Sequence, residues 1–216
     1  MKGVERVQSL GEEIANSVTH GVGALASVAA LPVLVVGALP GGAGAVVGSA
    51  VFGASLVLLY VSSTIYHSLA RNRAKRVFRV IDHSAIFVLI AGTYTPFTLG
   101  VLRGAWGWTL FGIVWALGIT GIALTASLGV RFPKASTGVY IAMGWLILVA
   151  VKPLLERLPT AGLAWLVAGG VAYTGGAVFY AWRRLRYQHA IWHLFVLAGS
   201  CCHVIAVARY AAPHAA

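Results

Sequence analysis

The chain has 216 residues, of which 59% are hydrophobic and only 10% charged, and its mean hydropathy is +0.86. Soluble domains carry roughly 25% charged residues, so these figures exclude an ordinary soluble domain and describe an integral membrane protein. The formal net charge of +11 does not imply a nucleic-acid partner, because twelve of the sixteen Lys and Arg residues fall in alternate segments between the apolar runs, which is the positive-inside pattern of a membrane protein.

Seven apolar runs are long enough to span a bilayer: residues 22–39, 46–69, 80–99, 106–126, 138–155, 163–182 and 190–210. The segments between them are short, so one all-α seven-helix bundle is expected to use the whole chain, residues 1–216, as a single membrane domain. The basic residues place the N-terminus in the cytoplasm and the C-terminus outside, in a multi-pass protein of the plasma membrane. The first run is not expected to be a cleaved signal, despite Ala43-Gly44-Ala45, because Glu5, Glu12 and Glu13 make the preceding region too acidic.

Before the first run, Val4, Val7, Leu10, Ile14 and Val18 share one helical face of residues 4–20, the pattern of a short amphipathic helix on the membrane surface. Glu13, Asn16 and His20 form a polar stripe opposite. A solvated face explains that stripe as well as a site does. The first run contains Pro32, tolerable where neighbouring helices satisfy the freed carbonyl, and ends at the Pro40-Gly41-Gly42 turn.

The second run closes with Ser63 and His67, four residues apart on one face. The loop beyond it carries Arg71, Arg73, Lys75, Arg76 and Arg79, expected to face the anionic lipid of the inner leaflet. Asp82 then lies one turn into the third run, which leads to Gly92-Thr93-Tyr94-Thr95-Pro96 and a kink or helix end. The fourth and fifth runs have no ionisable residue in mid-span and read as scaffold. The sixth has a ridge of small residues, Ala164, Ala168, Ala172 and Gly176, of the kind that lets helix backbones approach.

The seventh run begins with His189 and His193, four apart on one helical face. Alternating helix directions bring His67, Asp82, His189 and His193 to one layer near the cytoplasmic boundary. Three imidazoles with an open position match the donor set of catalytic zinc, which activates water. Asp82 could serve as general base or orient a ligand ring, with Arg79 as its structural alternative partner. Ser63 could hydrogen-bond the water or a developing oxyanion, or simply bond the carbonyl four residues back. His203 lies about 15 Å deeper and reads as a hydrogen-bonded packing residue. His83 points away from Asp82 on the helix, and His214 is in the tail; neither is a ligand candidate. Cys201 and Cys202 read as small buried hydrophobes.

With Glu13-x-x-Asn16-x-x-Thr19-His20-x-x-Gly23, Ser63-x-x-x-His67, Ile81-Asp82, Gly92-Thr93-Tyr94-Thr95-Pro96 and His189-x-x-x-His193 followed by His203, the whole chain resembles the haemolysin III family. This is the bacterial branch of the progestin and adipoQ receptor superfamily, more distantly related to the alkaline ceramidases. The resemblance implies seven helices, a cytoplasmic N-terminus and Zn2+ held by His67, His189 and His193, with Ser63 and Asp82 at the same site.

Three functions compete. The first is an intramembrane zinc hydrolase whose partner is a membrane lipid or fatty-acyl ligand, cleaved at an amide or ester. The second is a sensor or regulator of membrane lipid state that uses the site without turnover, and the third a membrane-perturbing haemolysin or pore. A pore predicts a polar stripe through the full span, whereas these ligand-type residues gather at one end. A retinal-type receptor is disfavoured because the seventh run has no lysine.

Overall fold

The computed structural model describes residues 8–212. Among these, seven helices are long and apolar enough to cross a membrane: α1 (Leu10–Gly37), α2 (Ala43–Ser68), α3 (Arg73–Leu102), α4 (Gly104–Leu128), α5 (Pro133–Arg157), α6 (Thr160–Ala181) and α7 (Gln188–Ala211). At 1.5 Å per residue even a helix of about 22 residues reaches roughly 33 Å, enough for the hydrocarbon layer.

α1 differs from the expected surface helix followed by a separate span. It runs uninterrupted from Leu10 to Gly37, so residues 10–20 are its first turns; Val4 and Val7 lie outside the described residues. Ser9 starts the helix with a capping box. Its hydroxyl accepts from the Glu12 N–H at 3.3 Å, and its own N–H donates to Glu12 Oε2 at 2.9 Å. Nothing breaks the helix between Val18 and Val22, because the same two faces simply continue. Leu10, Ile14, Val18, Val22 and Leu25 point outward, while Glu12, Asn16, His20, Gly23 and Ser27 are buried. A polar buried face with an apolar exposed one inverts a soluble amphipathic helix and suits a span whose surroundings are lipid.

The helices pack in order around an apolar core that includes Phe52, Leu56, Phe87, Leu89, Val114 and Met143. α1 lies against α2 and also α7; α2 lies against α3, α3 against α4, and α6 against α7. The turn from α1 to α2 uses Gly42 at φ 79°, a backbone region in which a side chain would be strained. α3 is α-helical to Pro96 and then continues as wider π turns over Phe97–Leu102, so the Gly92–Pro96 segment ends the regular α-helix as its proline requires.

That segment also organises its neighbours. α5 is interrupted by a 3-10 stretch at Leu146–Ala150, and the Tyr94 hydroxyl services the break. It accepts from the Ile147 N–H at 2.8 Å and donates towards the carbonyls of Met143 and Gly144, each at 2.8 Å. Thr95 Oγ1 accepts from the indole N–H of Trp115 on α4 at 3.1 Å. Backbone groups freed inside a membrane need such partners.

Of the small-residue ridge expected on α6, only Gly176 is buried in the contact. Ala164 and Ala168 are exposed, and the buried small positions are Gly162, Gly169, Gly176 and Ala177. Steps of four residues advance about 400° and drift about 40° each, so a four-spaced ridge winds off the contact, whereas seven-residue steps return to within about 20°. Through this glycine face α6 meets α7: a Cβ at Gly169 would collide with His203, and one at Gly176 would sit 2.6 Å from Phe195 Cβ. Cys201, expected to be buried, is exposed on the outer surface of α7, and Cys202 is half-buried.

Candidate metal centre

α1, α2, α3 and α7 meet at the end of the bundle where α1 begins. Glu12 Oε1 accepts the Tyr187 N–H at 3.0 Å, which pins the start of α7 to the first turn of α1. Tyr187 itself takes the left-handed conformation, φ 57°, and turns the chain into the helix that carries His189 and His193. The sequence reading missed Glu12, whose Ser-x-x-Glu spacing with Ser9 was the available signal.

His67, His189 and His193 converge there. One ring nitrogen from each lies within 4.8 Å of the others, a grouping that could hold a metal ion. Ring centroids are 5.0 Å apart for His67 and His189, 5.1 Å for His67 and His193, and 4.5 Å for His189 and His193. The donor set fits a metal on chemical grounds as well as by distance. His67 is 4% exposed, its Nε2 is buried, and that atom has no hydrogen-bond partner. A buried orphan of this kind costs about 1–3 kcal/mol, which coordination would offset.

The hydrogen bonds of the rings fix their tautomers. His193 Nδ1 lies 3.2 Å from the Asn16 carbonyl oxygen, which can only accept, so Nδ1 carries the proton and Nε2 the lone pair. Thr19 Oγ1 is also 3.2 Å from that nitrogen and directs its own proton to backbone oxygens of α1. His67 Nδ1 lies 2.7 Å from Glu13 Oε2, which likewise puts the proton on Nδ1 and leaves the lone pair on Nε2. The polar stripe of α1 therefore faces the site, and a solvated face is ruled out for Asn16 and His20, which are 0% and 3% exposed.

His20 belongs to the cluster in a way that spacing did not reveal. Its ring stacks on His193 at 3.4 Å between centroids and 12° between planes, and meets Tyr60 edge-on at 5.0 Å. Both of its nitrogens are buried and unpartnered. Gly23, one turn further, makes this approach possible, since a Cβ there would lie 2.5 Å from the Tyr60 ring.

Asp82 and Ser63 are buried beside the histidines. His83, which was expected to point away, flanks Asp82 instead: its Nδ1 is 3.4 Å from Asp82 Oδ2 and 2.9 Å from the Arg79 carbonyl. Ser63 does not bond its own helix. Ser62, Thr64 and Ser68 around it all donate to carbonyls three or four residues back, but the Ser63 hydroxyl has no partner. A cavity of about 140 Å³ is lined by Ser63, Asp82, His189 and His193 and by largely apolar and aromatic side chains. Tyr140 and Trp145 of α5 are among these, so α5 shapes the cavity rather than serving only as scaffold. His203 lies on its wall and donates from Nδ1 to the Gly199 carbonyl at 2.8 Å, the packing role expected of it.

Residues 8–204 match the family model described as Haemolysin-III related. The chain belongs to the haemolysin III family. It is 51% identical to Hemolysin-3 of Bacillus cereus over 96% of this chain and 95% of that protein. It is 48% identical to a Hemolysin-3 homolog of Bacillus subtilis over 94% and 95%. A more distant relative is the human monocyte to macrophage differentiation factor, 26% identical over 74% of this chain and 68% of that one, in keeping with the wider progestin and adipoQ receptor superfamily. No solved structure gives a significant match. As a haemolysin III protein with seven apolar helices, the chain is a multi-pass membrane protein of the plasma membrane.

Proposed function

We propose that this haemolysin III protein is a zinc-dependent hydrolase that cleaves an amide or ester bond of a lipid within the membrane. The observation that carries the reading is that one cavity holds both parts such a reaction needs: His189, His193, Asp82 and Ser63 at one end and an apolar, aromatic lining beyond them. Zinc held by His67, His189 and His193 would supply Lewis acidity and an activated water.

The chain's own residues then divide the work. Asp82, a buried carboxylate beside His83, would take the proton of the attacking water as general base and return it to the leaving amine or alkoxide as the acyl bond breaks. The Ser63 hydroxyl, free of its helix, donates to charge developing on the carbonyl oxygen of the scissile bond. Burial removes water that would compete with both, and the aromatic wall from Tyr140 to Trp145 accepts an acyl chain.

The test follows fatty acid released from ceramide-like amides and phospholipid esters in bilayers, with zinc in excess. Asp82→Asn should keep the metal and lose about 10²- to 10⁴-fold in rate. Wild type that releases no more than His193→Ala across the panel would contradict hydrolysis. The name of the bacillary relatives favours a second reading, lysis. Against a pore stands the far end of the bundle, where Leu102, Leu110, Leu154 and Val207 are buried together. Red-cell lysis that survives both His193→Ala and Asp82→Asn would place lysis outside this site and move that reading ahead.

A further inference from the structure

Glu13 meets His67 at Nδ1, the nitrogen opposite the unpartnered Nε2, and uses both carboxylate oxygens. Oε2 is 2.7 Å from His67 Nδ1, and Oε1 is 2.9 Å from Lys75 Nζ. Lys75 was grouped by sequence with the arginines that face anionic lipid, but it turns inward: its side chain is 11% exposed. Besides Glu13, its ammonium donates to the carbonyls of Tyr66 and Leu69, each at 3.0 Å. Those oxygens belong to the last turn of α2 and the residue just past it, so the ammonium's three N–H groups all have acceptors. A lone exposed Glu–Lys pair would contribute little. Here the lysine is held by backbone, the carboxylate is held by the lysine, and the remaining oxygen of that carboxylate meets a ring nitrogen.

We propose that Glu13, clamped by Lys75, is a positioning residue for the metal ligand His67: it keeps the proton on Nδ1 and the Nε2 lone pair facing His189 and His193. The inference rests on the metal-binding reading given above. A carboxylate behind a ligating imidazole fixes its tautomer and ring orientation and raises its basicity, and losing such a partner typically costs about 10- to 100-fold in metal affinity. Glu13 is not among the residues that line the cavity, so its contribution is to binding geometry. It also makes assembly of the site depend on three helices, with Glu13 from α1, His67 from α2 and Lys75 from α3.

The experiment titrates cobalt(II) into purified, full-length, metal-stripped protein and reads dissociation constant and visible absorption together. Glu13→Ala should raise the constant about 10- to 100-fold and shift the absorption band. Glu13→Gln, whose amide oxygen still accepts from Nδ1, should recover part of the loss and carries the test if the alanine variant fails to fold. Ser17→Ala serves as control. It removes a hydrogen bond of 2.7 Å between the Ser17 and Ser68 hydroxyls across the same α1–α2 contact without touching a ligand, and should bind cobalt as wild type does. Glu13→Ala with wild-type affinity and spectrum would overturn the positioning role, as would a Ser17→Ala loss equal to that of Glu13→Ala. Wild type that binds no cobalt would overturn the metal reading beneath it.

Discussion

Two serines in the same core make opposite predictions. Ser200 accepts from the Tyr60 hydroxyl at 2.7 Å and lies 2.8 Å from the Tyr173 hydroxyl, so Ser200→Ala removes the partner of Tyr173, leaves Tyr60 only a 3.4 Å bond to the Val196 carbonyl, and should lower stability by about 1–3 kcal/mol. Ser63 is equally buried but unpartnered, so Ser63→Ala removes an unsatisfied group and should leave thermal stability unchanged or slightly raised while lipid hydrolysis falls. Thermal unfolding in detergent checks both. A Ser63→Ala variant as unstable as Ser200→Ala would mean that the hydroxyl serves the fold. Groups kept buried at a cost to stability are expected where a site, not packing, needs them.

At the scale of the helices, close approach is concentrated at a few glycines. Gly23→Ala should cost about 1–3 kcal/mol by overpacking, because its Cβ would press on the Tyr60 ring and on Leu197. Gly112→Ala, with nothing within 4 Å, should be neutral or stabilising, since alanine is the better helix former. Equal unfolding midpoints for the two variants would contradict the packing described. Sequence spacing made the contents of each helix legible: His189 and His193, Ser63 and His67, and the lipid and core faces of α1 all follow from the 3.6-residue period. Contacts between helices were not legible, because they depend on how each helix is rotated about its axis. Hence spacing alone does not show that Lys75 turns inward to Glu13, that α5 lines the cavity, or which small residues of α6 meet α7. The span limits were too short for a related reason. Hydropathy stops at the first polar residue, yet Glu12 and Glu13 lie within the helix and find partners on the start of α7 and on α2.

For the molecule as a whole, the distribution of basic residues predicts an orientation. With twelve of sixteen Lys and Arg on the side of the N-terminus, a reporter before Met1 should be cytoplasmic and one after Ala216 should be accessible from outside. Both termini on one side would contradict a seven-span chain. The candidate centre would then lie near the cytoplasmic face, within reach of lipid from the inner leaflet. Exposed Arg71, Arg73 and Arg76 beside it would favour anionic headgroups there.

The central claim is that α1, α2 and α7 assemble a three-histidine metal centre, and elemental analysis of gently purified protein tests it most directly. Wild type should carry about one zinc per chain, and His193→Ala should lose most of it while remaining folded. Wild type free of transition metal, or His193→Ala with an undiminished content, would contradict the account.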